Sequence, residues 1–375
     1  MRRPWLTLTA MKRILLLTVF SASFLVYAQT ENEQKAHDLA MKAIEEMDNG
    51  KIDESIEMLQ ECVELDPDNV SYPYEIAYAY YQKQNYTEAN KRLKKIMKDK
   101  NASDRFYQLY GNTFDFLGKP EKAIQVYEKG LEIFPNSGIL HLERGNMELG
   151  RKEYGKALAY YEKGVEVDPF FPSNYYWCSK IFLSSTEEVW GMIYGELFLN
   201  LERNTKRTEE ISKRMYDTYK NEIEFSGPVE TDSGSTSSVT VSFSQNNVID
   251  ASSLKDGEFK LPFSMVYETL LSIGVATADS IDLHSLSRAR QAFIEQYYKM
   301  EHEKNYPIVL FDYQHQVLEM GYMEPYNYWI LFEGNRNAAK AWIDDHSEEW
   351  EEFIDWFSKN PIEITMDNRF YRAQC

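Results

Sequence analysis

Residues 123–171 read AIQVYEKGLEIFPNSGILHLERGNMELGRKEYGKALAYYEKGVEVDPFF, and within them Ala123, Tyr127 and Pro135 return 34 positions later as Ala157, Tyr161 and Pro169. Followed toward the N-terminus, the same step meets Ala89, Leu93 and Asn101, then Ser55, Leu59 and Pro67. A second small residue stands earlier in each period, at Ala43, Ala77, Gly111 and Gly145. Turn-forming residues separate the halves: Asn49-Gly50, Gln84-Asn85, Leu117-Gly118 and Gly150-Arg151. Four registers locked to one period define units 36–69, 70–103, 104–137 and 138–171.

Each half has helical periodicity, as in Ile56, Leu59 and Val63 or in Leu109, Thr113 and Phe116. The small residues allow two helices to cross closely, where a larger side chain would force them apart. Proline at the end of a unit stops the second helix and sets φ for the start of the next unit. A lone helical hairpin cannot bury its apolar face, so the units must stack and the last one needs a cap. This segment resembles tetratricopeptide repeats, with ELDPDN, IFPNSG and EVDPFF as the turns between units. The resemblance implies a mainly α protein, a right-handed α-α superhelical solenoid over 36–171. Residues 172–225 read as a degenerate fifth unit running into a capping or linker helix. Gly191 keeps the small-residue register there, but Gly195 stands where an aromatic is expected. The charged stretch from Glu196 to Phe225 carries a thin apolar stripe (Ile211, Met215, Tyr219, Ile223) and reads as a solvated helix leading outward.

In such repeats the first helix of each unit lines the concave face. The resemblance therefore nominates Tyr74, Tyr78 and Tyr81 in the second unit, with Arg105, Gln108, Asn112 and Asp115 in the third. Asn146 comes next in the fourth, and Tyr176 and Lys180 in the degenerate one. Rings supply contact area while amides read backbone groups, so a protein or peptide partner is expected; rings packed between helices are the competing reading for each Tyr. Some repeats of this family clamp a terminal carboxylate with a Lys one turn ahead of an Asn. Here Gln108 precedes Asn112 and Leu142 precedes Asn146, which argues against a carboxylate clamp.

A formal charge of -19 and a pI near 4.9 argue against nucleic acid as a partner, because phosphate-backbone affinity needs clustered Lys and Arg. They also speak against direct binding to anionic lipid. Met11-Lys12-Arg13 followed by the apolar run Ile14–Val26 and then Ala28-Gln29 reads as a secretory signal peptide over 1–28, with Met11 a better initiator than Met1. The expected location is the periplasm or cell surface of a Gram-negative bacterium. Cys62 and Cys178 fall several helix layers apart, beyond the ~7 Å reach of a disulfide, and read as buried small hydrophobes. Cys375, at a terminus, is the one free to pair with another chain.

Beyond the repeats, SGPVETDSGSTSS at 226–238 reads as an exposed linker. Val239–Phe243 alternates like a strand, and Glu258–Leu261 is its expected partner. Helical patterns come after it at 264–274, 284–304, 307–321 and 337–359, giving a mostly helical C-terminal domain, 239–375, with a small β element. No nucleophile motif, phosphate loop or dinucleotide fingerprint appears, and no cofactor is implied. Glu301-His302-Glu303 and Asp344-Asp345-His346 are adjacent on helices and point in different directions, so neither set converges on a metal. The second reads as a helix end with Ser347 capping the next segment. Asp312 and His315 share a face but make only a pair. The reading is thus an exported interaction scaffold in an envelope assembly or secretion complex. An enzyme housed in 240–375, or a structural homo-oligomer, are the alternatives.

Overall fold

The computed structural model describes residues 31–231, 234–244, 262–276 and 278–375, and its backbone carries the 34-residue step directly. Left-handed residues recur at Gly50 (φ 84), Gln84 (φ 59), Gly118 (φ 69) and Lys152 (φ 62), each closing the turn between the helices of a pair. Glycine adopts this conformation without strain, whereas an L side chain gives up about 1–2 kcal/mol. In the fourth turn the left-handed residue is Lys152, beyond the Gly150-Arg151 expected from sequence. The signal-peptide segment 1–28 and the strand expected at 258–261 lie outside the described residues.

The chain forms two compact units, 1–153 and 154–375. The fourth 34-residue period is divided between them, and the boundary is not the linker expected at 226–238.

The first unit contains helices α1 (Glu31–Asp48), α2 (Ile52–Leu65), α3 (Ser71–Gln82), α4 (Tyr86–Ile96), α5 (Asp104–Phe116), α6 (Pro120–Ile133) and α7 (Gly138–Gly150). Asn85 caps α4 by accepting from the Glu88 N–H, Ser137 caps α7 at Leu140, and Pro120 opens α6. Successive helices pack in antiparallel pairs, and each pair rests on the next. The small positions Ala43, Ser55, Ala77, Ala89 and Ala123 are all fully buried at these crossings. At Gly111 a Cβ atom would lie 2.1 Å from the Tyr127 ring, so one period's small residue is the seat of another register's aromatic. Cys62 is buried beside Ala36, to whose carbonyl its thiol donates, in the role of a small hydrophobe.

The second unit begins with α8 (Tyr154–Val167), α9 (Pro172–Phe182), α10 (Glu188–Leu201) and α11 (Lys206–Glu222). A hairpin comes next, β1 (Ile223–Thr231) with β2 (Gly234–Val241), antiparallel and paired from Ile223↔Val241 to Thr231↔Gly234. Most of the expected linker therefore belongs to a sheet. Its register shifts between Ser226 and Val229, across Gly227-Pro228, where proline has no N–H to give the ladder. Six helices complete the unit: α12 (Phe263–Val275), α13 (Leu283–Lys299), α14 (Val309–Glu319), α15 (Met323–Ile330), α16 (Arg336–Asp345) and α17 (Ser347–Lys359). The stretch expected as one helix over 337–359 is broken at His346. Ser347 opens α17, but neither it nor His346 shows a side-chain cap.

Two expectations for this half are corrected. Helix α11 is not a solvated outward arm: Ile211, Met215 and Tyr219 are buried, and the turn at 332–334 packs on it. Gly195, in the slot where the repeat would carry an aromatic, leaves room for Met215 and Ile211 of α11. Nor is 239–375 separate from the helices before it. Arg290 of α13 pairs with Glu196 of α10 at 2.6 Å, and Gln314 and Tyr326 donate to the same carboxylate. Arg290 also donates to Asn327 (2.6 Å) and to the Tyr219 hydroxyl (3.0 Å). Burial alone would lower the Arg290 pKa, but Glu196 beside it holds it well above its ordinary value. The C-terminal tail returns to α8 and α10, with Phe370 against Tyr194 and Arg372 paired with Glu162 and Glu187.

Candidate protein-binding face

Three first helices, α3, α5 and α7, lie side by side in the first unit and carry eight of the ten nominated residues. The amides converge. Gln108 donates to Glu143 at 2.9 Å, Asn112 donates to the same oxygen at 3.5 Å, and Asn146 donates to the other oxygen at 3.1 Å. Asn112 is used at both ends, since its carbonyl accepts from the Tyr127 hydroxyl. Glu143, which was not nominated, is therefore the centre of the face. Its signal was present in the repeat: it stands 34 positions after Leu109 and 68 after Glu75, both buried, and a carboxylate in a buried register needs donors.

The tyrosines divide. Tyr74 stacks on Phe106 at 4.4 Å between α3 and α5, which is the packing reading. Tyr78 keeps 38% of its surface exposed and stacks on Tyr81 at 6.5 Å. Tyr81 in turn meets Tyr86 at 5.4 Å and Phe116 at 5.6 Å, and Phe116 is 57% exposed. Burial pushes the Tyr81 hydroxyl up to about 12, with the Glu143 charge adding and the Asn112 amide easing it, which places the ring beside the amide–carboxylate cluster. Arg105 lies near Tyr74 and the buried Glu75; burial pushes that carboxyl up to about 7 against the pull of Arg105. Asp115 is exposed at the end of α5.

Tyr176 and Lys180 belong to the second unit and are already engaged there. The Tyr176 hydroxyl donates to Glu210 of α11 at 2.7 Å, Lys180 pairs with Glu210 at 3.0 Å, and Arg207 lies over the Tyr176 ring. Tyr176 is buried against α11.

Elsewhere, Asp312 and His315 do share a face, but Tyr298 bonds the first and stacks on the second at 3.9 Å. The cavity lined by Glu196, Tyr219, Tyr267, Arg290 and Gln314 holds about 20 Å³, room for roughly one water, and its charged groups are paired with each other. Among the described residues no helix is long and apolar enough to cross a membrane.

Paired antiparallel helices stacked at a fixed period, with a small residue at each crossing, define a helical-repeat protein. Two family profiles described as tetratricopeptide repeat match residues 46–112 and 104–137, so this stretch carries tetratricopeptide repeats. A search of curated proteins returned no match. Among solved structures, PilF of Pseudomonas aeruginosa is similar at 16% identity, over 51% of this chain and 86% of that one, with a TM-score of 0.43. TTC0263 of Thermus thermophilus is similar at 14% identity, over 48% and 98%, with a TM-score of 0.42. PilW, a type IV pilus biogenesis factor, is similar at 17% identity over 48% and 86%, with a TM-score of 0.39.

Proposed function

We propose that the chain is an exported scaffold that recognises a partner protein on the first helices of its N-terminal repeats, within an envelope assembly or secretion complex. The observation that carries this is the pair of exposed rings, Tyr78 and Phe116, joined through Tyr81 to a fixed set of amides. Isolated surface aromatics are ordinary. Rings beside oriented amides supply both the contact area and the hydrogen bonds that peptide recognition uses. Of the nominated residues, Tyr78, Tyr81 and Asp115 are the contacts of this reading. Gln108, Asn112 and Asn146 position Glu143, and Tyr74 is a packing residue. Export rests on the sequence of residues 1–28.

A photo-crosslinking amino acid at Tyr78 or at Phe116 should give the same protein adduct in cells, and one at Met300, exposed in the second unit, should not. The same adduct from all three positions, or none from the first two, would overturn the reading. N-terminal sequencing of the mature chain should begin near Gln29; a mature chain starting at Met1 or Met11 would remove export from it.

A further inference from the structure

Glu143 is a charged group held entirely by neutral donors. Three amide N–H groups from α5 and α7 fix both of its oxygens, and among the described residues no Lys, Arg or His pairs with it. Neutral donors stabilise a carboxylate without cancelling its charge, so a full negative charge stays at this point. The half-buried setting weakens screening by water and salt. The surroundings are mostly of the same sign: Asp48, Asp104 and Asp115 act on the rings of this face, with Arg105 opposing them. Tyr81 neighbours Asn112, which holds Glu143, and also joins the exposed rings of Tyr78 and Phe116. A fixed carboxylate next to accessible aromatic faces is the combination that selects a cation carried on an apolar stem. A terminal carboxylate would be repelled by it.

We propose that this face takes a basic segment of a partner polypeptide, with an arginine or lysine side chain seated on Glu143 and its stem against Tyr78, Tyr81 and Phe116. The inference rests on the reading of this face as the partner site. It assigns the partner's chemistry: a positively charged segment, complementary to a chain whose own formal charge is -19. Association should accordingly be faster at low salt.

The test is selection of a random dodecapeptide library on the full chain, with fluorescence anisotropy of the enriched peptides afterwards. Enriched sequences should share an Arg or Lys at a fixed position. Replacing that Arg by citrulline, which keeps the shape and removes the charge, should weaken binding tenfold or more, and so should Glu143→Gln. The citrulline peptide leaves the protein untouched, so the test survives if Glu143→Gln disturbs the fold. Enriched peptides without a basic residue that still need Tyr78 would overturn the inference and leave the partner face standing. So would citrulline peptides that bind equally well. Peptides indifferent to Tyr78→Ala would overturn the face itself, and failure to enrich any peptide would overturn both.

Discussion

Gly111→Ala isolates what the repeat register does. In an exposed helix interior this change should stabilise by about 1 kcal/mol, because alanine is the better helix former. Here the new Cβ would meet Tyr127 Cε1 at 2.1 Å, with Cδ1 and Cζ both at 2.6 Å. An ordinary carbon contact is about 3.5–4.0 Å, so the ring must move by more than an ångström. Tyr127 is 1% exposed, and its hydroxyl bonds Asn112, which in turn holds Glu143. Overpacking of this kind costs about 1–3 kcal/mol, and a strained Tyr127–Asn112 bond adds about 1 kcal/mol. Set against the gain in propensity, the net is a loss of about 1–3 kcal/mol. That is roughly a 5- to 150-fold increase in the open population. Hydrogen exchange of the α5 and α6 amides reads the first unit alone, which a bulk melt of a two-unit chain does not. Exchange there should quicken by that factor, and Tyr127→Leu added to Gly111→Ala should recover part of it. If Gly111→Ala slows exchange or leaves it unchanged, the ring is not seated on the glycine and the small-residue register has another explanation.

Arg290→Met should cost about 3–5 kcal/mol, because it strands the buried Glu196 charge; adding Glu196→Gln should restore part of the loss in thermal unfolding, and a melt unchanged by Arg290→Met would refute the pairing. Glu188 is pushed up to about 7, by burial first and by the neighbouring Glu222 next. Between its ordinary 4.5 and 7 the unfolded carboxyl has lost its proton while the folded one keeps it, so stability should fall as pH rises through that window. Glu188→Gln should flatten the slope in urea titrations at several pH values, and an unaltered slope would exclude this pair as its source.

The repeats were legible because their determinants are local and periodic. A small residue at each crossing, a larger apolar or aromatic residue further along the same unit and a left-handed turn between the helices recur without reference to distant chain. The candidate face was legible as residue types but not as partnerships. Gln108, Asn112 and Asn146 were read as free to meet a ligand, whereas Glu143 binds all three. The register shared with Glu75 and Leu109 was the available clue. Tyr176 and Lys180 obeyed the same periodic rule, but α11, outside the repeat, supplies Glu210 to both. In the C-terminal half the hairpin was hidden by its Gly, Ser and Pro content, and the buried centre by distance along the chain. Arg290 lies 94 residues from Glu196, a contact that no local pattern announces.

The return of the tail to α8 has a temporal meaning. Arg372 closes on Glu162 across 210 residues. At about 5–20 residues per second of synthesis, some 10–40 s separate the two ends of that contact. The N-terminal hairpins need only their neighbours and can settle as they emerge. Helix α10 is covered early by α9 and α11, but the side where Trp190 and Tyr194 meet Phe370 stays uncovered until the last residues arrive. A nascent chain stalled late in translation would thus present a folded repeat array tethered to a sticky, unfinished half. The same holds for a message truncated before the codon of Phe370, and such products are natural clients for chaperones and proteases.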